Sequence, residues 1–152
     1  MRLTVRGRRF SELTSEVFRT RALMLQGAER LARSAGLTSA RWQILGVVSG
    51  GPAPVAQTAR MIGLTRQSVQ QTADAMAAEG LVVFVANPRH RRARLMAPTA
   101  KGRAALARLR PHEIEFANLM GREHTAAALQ SALDVLRHTR SMLEAGLRRT
   151  SR

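Results

Sequence analysis

The stretch "AQTARMIGLTRQSVQQTADAMAAEG", Ala56 to Gly80, decides the fold. Ala59 stands where one helix must come close to the next, and Gly63 can take the left-handed conformation of a tight turn. Val69 then plugs the space between the two helices. This spacing is that of a helix-turn-helix. The faces of the second helix sharpen the reading. At about 100° per residue, Val69, Ala73 and Met76 fall in one narrow arc that should face a core. Gln67, Gln70, Gln71 and Asp74 gather on the opposite side, with Arg66 at its edge. A merely solvated helix would carry Glu and Lys pairs there. Amides instead pair bidentately with adenine, and arginine with guanine, in the major groove.

Directly after Gly80 the pattern changes from helical to alternating. "LVVFVA" and "ARLMA" are short and rich in branched apolar residues, and the Asn87-Pro88 turn signal lies between them, so they read as a two-stranded hairpin. Its loop carries Arg89, His90, Arg91, Arg92 and Arg94. A hairpin following a recognition helix is a wing. The tip of such a wing lies along the DNA backbone or in the narrow minor groove, whose negative potential attracts arginine. The bland alternative, arginines that only keep a loop soluble, is weakened because the cluster adjoins the other suspected DNA surface.

Helices flank this centre. From Ser11 the residues Leu13, Val17, Met24, Ala28 and Leu31 recur at helical spacing up to Gly36, after an Arg-rich opening "MRLTVRGRRF" that reads as a short basic arm. Thr38 or Ser39 can cap a second helix with Trp42, Leu45 and Val48 or Val47 as its apolar stripe. A third, short helix starts with Pro54 in its first turn, and a fourth spans about Arg66 to Glu79, closed by Gly80. Thr99 can cap a further helix, which Pro111 should kink or interrupt. A last helix carries Leu129, Leu133, Leu136, Leu143 and Leu147 at near-heptad spacing, broken at Arg140.

The whole-chain charge agrees with a polyanion partner. Its 152 residues carry a net +15, almost wholly from arginine, since Lys101 is the only lysine. A GC-rich genome would inflate arginine everywhere, but it would not cluster it. One compact domain is expected at this length. No cysteine is present, which excludes disulfides, thiolate metal sites and thiol redox sensing and makes the cytoplasm the natural compartment. No apolar run reaches membrane-spanning length. His90, His112, His124 and His138 do not pair at a metal-ligand spacing, so no metal is expected. Neither a nucleophile elbow nor a phosphate-cradling glycine loop accompanies the scattered Ser, His and Asp residues, so no enzyme and no cofactor is expected. The seven methionines read as core filler or pocket lining.

From Leu37 to Gly102 the chain resembles the winged helix-turn-helix of the MarR family of bacterial transcriptional regulators. The family's wing pattern is Asp-x-Arg, five residues, Leu-Thr, two residues and Gly. It falls here on His90, Arg92, Pro98, Thr99 and Gly102, and Arg92, Thr99 and Gly102 match it. "TRQSVQQTADAMAAEGLV" is similar to the recognition helix, while "TAKGR" and "LRP" resemble the start of the next long helix. The resemblance implies a mainly α fold: a winged helix-turn-helix over 37–98 with a two-stranded β wing, and long N- and C-terminal dimerisation helices over 1–36 and 99–152. It also implies an obligate homodimer on a pseudo-palindromic double-stranded operator. Many members release DNA when a small anionic or aromatic effector binds.

The residues expected at DNA are Thr65, Arg66, Gln67, Gln70 and Gln71 on the helix and Arg89, Arg91, Arg92 and Arg94 on the wing. The expected function is sequence-specific regulation, as a repressor released by a small molecule. The alternative is a non-specific architectural DNA binder that uses the same basic surface without an effector.

Overall fold

The structure, a computed structural model, describes residues 2–88, 90 and 93–150, apart from the side chains of residues 148 and 150. Arg89, Arg91 and Arg92 lie outside the described residues. The elements run α1 (Val5–Ser34), α2 (Ser39–Ser49), β1 (Ala53–Pro54), α3 (Val55–Ile62), α4 (Arg66–Ala78), β2 (Val82–Val85), β3 (Leu95–Pro98), α5 (Ala100–Gly121) and α6 (Ala126–Thr150). Contacts divide the chain into two compact units, Met1–Pro111 and His112–Arg152.

In the first unit, the Thr4 hydroxyl accepts from the Gly7 amide at 3.0 Å and caps α1. The helix therefore begins at Val5 and takes in Arg6, Arg8 and Arg9 of the opening stretch. That corrects the reading of a basic arm before a helix from Ser11: arginine is a good helix former, and a capped first turn prolongs the helix past the end of its apolar stripe. Thr38 caps α2 by accepting from Arg41 N at 3.3 Å. Leu45 and Val48 are buried as expected and Ile44 joins them, while Trp42 and Val47 lie at the margin of the core. The centre of this unit is Ile44, Leu45, Val48, Val69, Met76, Met96 and Leu109, all essentially inaccessible to water.

The sheet has three strands in the order β1-β3-β2, both pairings antiparallel. The sequence showed only the hairpin of β2 and β3. The added strand is Ala53–Pro54, whose Ala53 faces Met96 and whose Pro54 faces Leu95. A residue before proline is held extended, and a proline without an N–H suits only an edge. Consequently α3 starts at Val55 with Pro54 as its N-cap residue, not with Pro54 in its first turn. The buried Thr58 hydroxyl donates back to the Pro54 carbonyl at 3.2 Å and closes that corner. Helix α5 is not interrupted at Pro111, which lies inside Ala100–Gly121.

A clamp outside the core joins α2 to α4. Both terminal guanidinium nitrogens of Arg41, Nη1 and Nη2, donate to the Glu79 carboxylate, at 2.8 and 2.5 Å, and Lys101 Nζ donates to the Glu79 carbonyl at 2.7 Å. A second carboxylate, Glu29 on α1, accepts from Ser39 N at 2.8 Å and Arg33 Nε at 3.2 Å. The Arg41 hydrogen bonds hold Glu79 below the ordinary glutamate pKa of 4.5, and the Ser39 amide does the same for Glu29. A carboxylate with a depressed folded pKa contributes stability above its unfolded value and loses it as pH falls through the folded one. Stability should therefore decline below about pH 4.5, and Arg41→Ala should flatten that decline. Solvent screening keeps the effect modest. Urea midpoints measured between about pH 6 and pH 3.5 test it, and an equally steep acid limb in the variant would contradict it.

The long helices leave apolar residues uncovered. In the first unit α1 exposes Phe10, Leu13, Val17, Phe18, Leu23 and Met24. In the second, α6 exposes Leu129, Leu133, Leu136, Leu143 and Leu147. Among the described residues no helix is long and apolar enough to cross a membrane.

Candidate nucleic-acid interface

Helices α3 and α4 meet at Gly63, which adopts φ 68° and ψ 31°, the left-handed region that a side chain would resist. Leu64 N then bonds back to the Ala59 carbonyl at 3.1 Å, and the Thr65 hydroxyl caps α4 by accepting from Ser68 N at 3.1 Å. Thr65 thus has a helix-starting role of its own. Val69, Ala73 and Met76 are fully buried against the core. Arg66, Gln67, Gln71 and Asp74 are exposed, and Gln70 is half-buried.

Two rows can be told apart on the outer side of α4. Gln67 and Gln71 stand clear in solvent. Arg66, Gln70 and Asp74 instead line a cleft of about 230 Å³, together with Pro54, Val55, Ala56, Phe84, Ala93 and Arg94. Within this row Gln70 Nε2 donates to Asp74 Oδ1 at 2.8 Å. The cleft is therefore lined both by apolar residues of the strands and the start of α3 and by two arginines, an aspartate and a glutamine.

The wing is set by the register of its strands, in which Val82, Val83, Phe84 and Val85 face Pro98, Ala97, Met96 and Leu95. Arg94 is drawn onto the wing itself. Its guanidinium carbon lies 5.4 Å from the centroid of the Phe84 ring, and Nη2 donates to the Phe84 carbonyl at 2.5 Å. Sequence reading gave Arg94 to DNA and missed this anchor, which depends on the register of the hairpin. At the loop, His90 N bonds to the Asn87 carbonyl at 3.3 Å and Ala93 N to the His90 carbonyl at 3.0 Å. The expectations for Arg89, Arg91 and Arg92 fall outside the described residues.

Thr99 and Gly102 fasten the wing to the rest of the unit. The Thr99 hydroxyl donates to the Gly80 carbonyl at 2.6 Å and accepts from Gly102 N at 3.0 Å, while Thr99 N bonds to the Leu81 carbonyl at 3.1 Å. One residue thus joins the end of α4, the start of β2 and the first turn of α5. Gly102 passes so close to Leu81 that a Cβ there would overlap the Leu81 carbonyl oxygen. Among the described residues no three His, Asp or Glu side chains gather as a metal site would.

The comparisons agree with this geometry. Residues 35–93 match the sequence model of the MarR family. An uncharacterized protein of Mycobacterium tuberculosis is 37% identical over 127 residues, covering 84% of this chain and 89% of its own. The transcriptional repressor CouR bound to a 23-mer DNA duplex superposes with a TM-score of 0.66 at 26% identity, over 90% of this chain and 99% of the other. CouR from Rhodococcus jostii bound to p-coumaroyl-CoA gives a TM-score of 0.73 at 18% identity, over 82% and 89% of the two chains. The turn at Gly63, the buried face of α4, the β2–β3 wing and these likenesses lead to one assignment: the chain belongs to the MarR family of winged helix-turn-helix transcriptional regulators.

Proposed function

We propose that the protein is a sequence-specific DNA-binding repressor that works as a homodimer on a pseudo-palindromic operator and is released by a small molecule. The observation that carries this reading is the outer face of α4, where exposed amides and Arg66 stand opposite a fully buried Val69-Ala73-Met76 arc. Amides and guanidinium groups are what base edges in the major groove pair with. In this reading Thr65, Arg66, Gln67, Gln70 and Gln71 meet the groove, and Arg89, Arg91, Arg92 and Arg94 meet the backbone beside it. The segments 1–36 and 99–152 form the dimer, and 37–98 binds DNA. The net charge of +15 supplies the non-specific attraction on which such recognition is built. Of two solved structures of proteins named CouR, one is bound to a DNA duplex and the other to p-coumaroyl-CoA. By analogy the effector here is a small molecule that prefers the non-binding conformation.

Binding measurements across salt and sequence test the assignment. The protein should prefer its own operator over bulk DNA by roughly a thousandfold or more. Gln71→Ala should relax preference at one operator position by about 1 to 3 kcal/mol and leave the salt dependence nearly untouched. Arg91→Ala or Arg92→Ala should weaken all sequences alike and lower the slope of log affinity against log salt by about one unit. Equal affinity for operator and bulk DNA would make the protein an architectural binder instead.

A further inference from the structure

We propose that Phe84 is a positioning residue for DNA binding: its ring and its carbonyl hold the Arg94 guanidinium in place with the charge uncancelled, ready for one backbone phosphate of the duplex. The inference deepens the reading of the wing as a backbone-binding element and rests on it.

A long arginine side chain samples many rotamers, and a phosphate that captures it must take that freedom away. A fold can remove the freedom beforehand in two ways. A carboxylate does so by cancelling the charge, as Glu79 does for Arg41. A carbonyl oxygen and an aromatic face are neutral, so they hold the cation and leave its charge available to a polyanion. From Val82 to Pro98 the wing contains no Asp or Glu, and within it only the second way is open. Arg94 takes it, with Nη2 on the Phe84 carbonyl and the guanidinium carbon 5.4 Å from the centroid of the ring. Among the described residues Arg94 makes no other hydrogen bond and no ion pair. A guanidinium has five N–H donors, so most of them remain for a phosphate, and the residue is exposed.

Phe84 makes a firm platform because of where it stands. Val83 and Val85 on either side are exposed, whereas Phe84 is half-buried, packs against the core and faces the fully buried Met96 across the hairpin. Its ring also lines the cleft between the wing and α4, where Arg66 and Arg94 both lie. A helix in the major groove and a wing in the neighbouring minor groove straddle the one sugar-phosphate strand that separates those grooves. The cleft lies between these two elements, and a phosphate of that strand is the anion that Arg94 meets. Asp74 lines the same cleft but bonds Gln70 rather than Arg94, so it does not take the guanidinium from the duplex.

The experiment measures the affinity of the full-length protein for a duplex of arbitrary sequence across a range of salt, because a phosphate contact carries no sequence information. Arg94→Ala should weaken binding and lower the slope of log affinity against log salt by about one unit per wing. Phe84→Leu keeps the carbonyl and removes the ring. It should weaken binding by about threefold to tenfold per wing and leave the slope as it was, since the charge is still there but no longer held. Phe84→Tyr restores a ring face and should recover most of that loss. Adding Phe84→Leu to Arg94→Ala should cost nothing further, because the ring then has nothing to hold. Melting curves check the fold, and Phe84→Met, ringless but of similar volume, takes the place of Phe84→Leu should that variant melt early. If Phe84→Leu weakens binding as much beside Arg94→Ala as it does alone, Phe84 acts through packing and the inference fails. If Arg91→Ala or Arg92→Ala lowers the slope but Arg94→Ala does not, the inference fails while the reading of the wing stands. If none of the three lowers it, both fail.

Discussion

Gly102→Ala should melt well below the parent protein. A helix interior normally gains about 1 kcal/mol from replacing glycine by alanine. Here the new methyl group would overlap the Leu81 carbonyl oxygen and come within 3.1 Å of Leu45 Cδ2, so the first turn of α5 has to move away. That movement strains the three backbone-linked bonds of Thr99, to Gly80 O, Leu81 O and Gly102 N. Overpacking and lost hydrogen bonds together should outweigh the helical gain and destabilise by about 2 to 4 kcal/mol. Gly46→Ala is the control. Gly46 lies inside α2 with nothing near its missing Cβ, so alanine there should stabilise by about 0.5 to 1 kcal/mol. Opposite shifts in melting temperature are the expected result, and a Gly102→Ala variant as stable as the parent would show that the close approach carries no weight.

Leu136→Asp, or Leu133→Asp, should dissociate the proposed dimer. Both side chains stand more than two-fifths exposed on α6, in a run with Leu129, Leu143 and Leu147 that an unaccompanied chain would leave in water. A carboxylate carried into an apolar interface without a partner costs several kcal/mol, so association should weaken by about a hundredfold or more per protomer substituted. Sedimentation at micromolar concentration reads the outcome. A dimeric Leu136→Asp variant, or an unaltered protein that is already monomeric and folded, would remove α6 from the interface. Loss of operator binding should accompany dissociation, because a single recognition helix reaches only one half-site.

What the sequence made legible follows from the range of the forces involved. Gly63 and the Val69-Ala73-Met76 arc are local: a left-handed turn and a 3.6-residue period are written in consecutive residues, and the structure places them as read. The β1 strand was not legible, because two residues carry no period and its meaning depends on Met96 and Leu95, distant along the chain. The start of α1 was misjudged by giving charge more weight than helix propensity and the Thr4 cap. Pro111 was read as a kink or an interruption because its local rule is strong, and the helix is not interrupted there. At the candidate site the polar face of α4 was visible, but its division into two rows was not. That division depends on the wing and on Pro54, which tertiary structure brings alongside. The Arg94 anchor on Phe84 was hidden for the same reason, since it needs the hairpin's register before the two can meet.

Pro54 also has a bearing on how the molecule behaves among its own copies. A sheet edge is a template on which a second chain can add a strand, and proteins that fold at high local concentration need their edges blunted. The β1 edge is two residues long and half of it is proline, so an incoming strand would find almost no donors there and no length over which to register. Self-association through this edge of the sheet is thereby disfavoured.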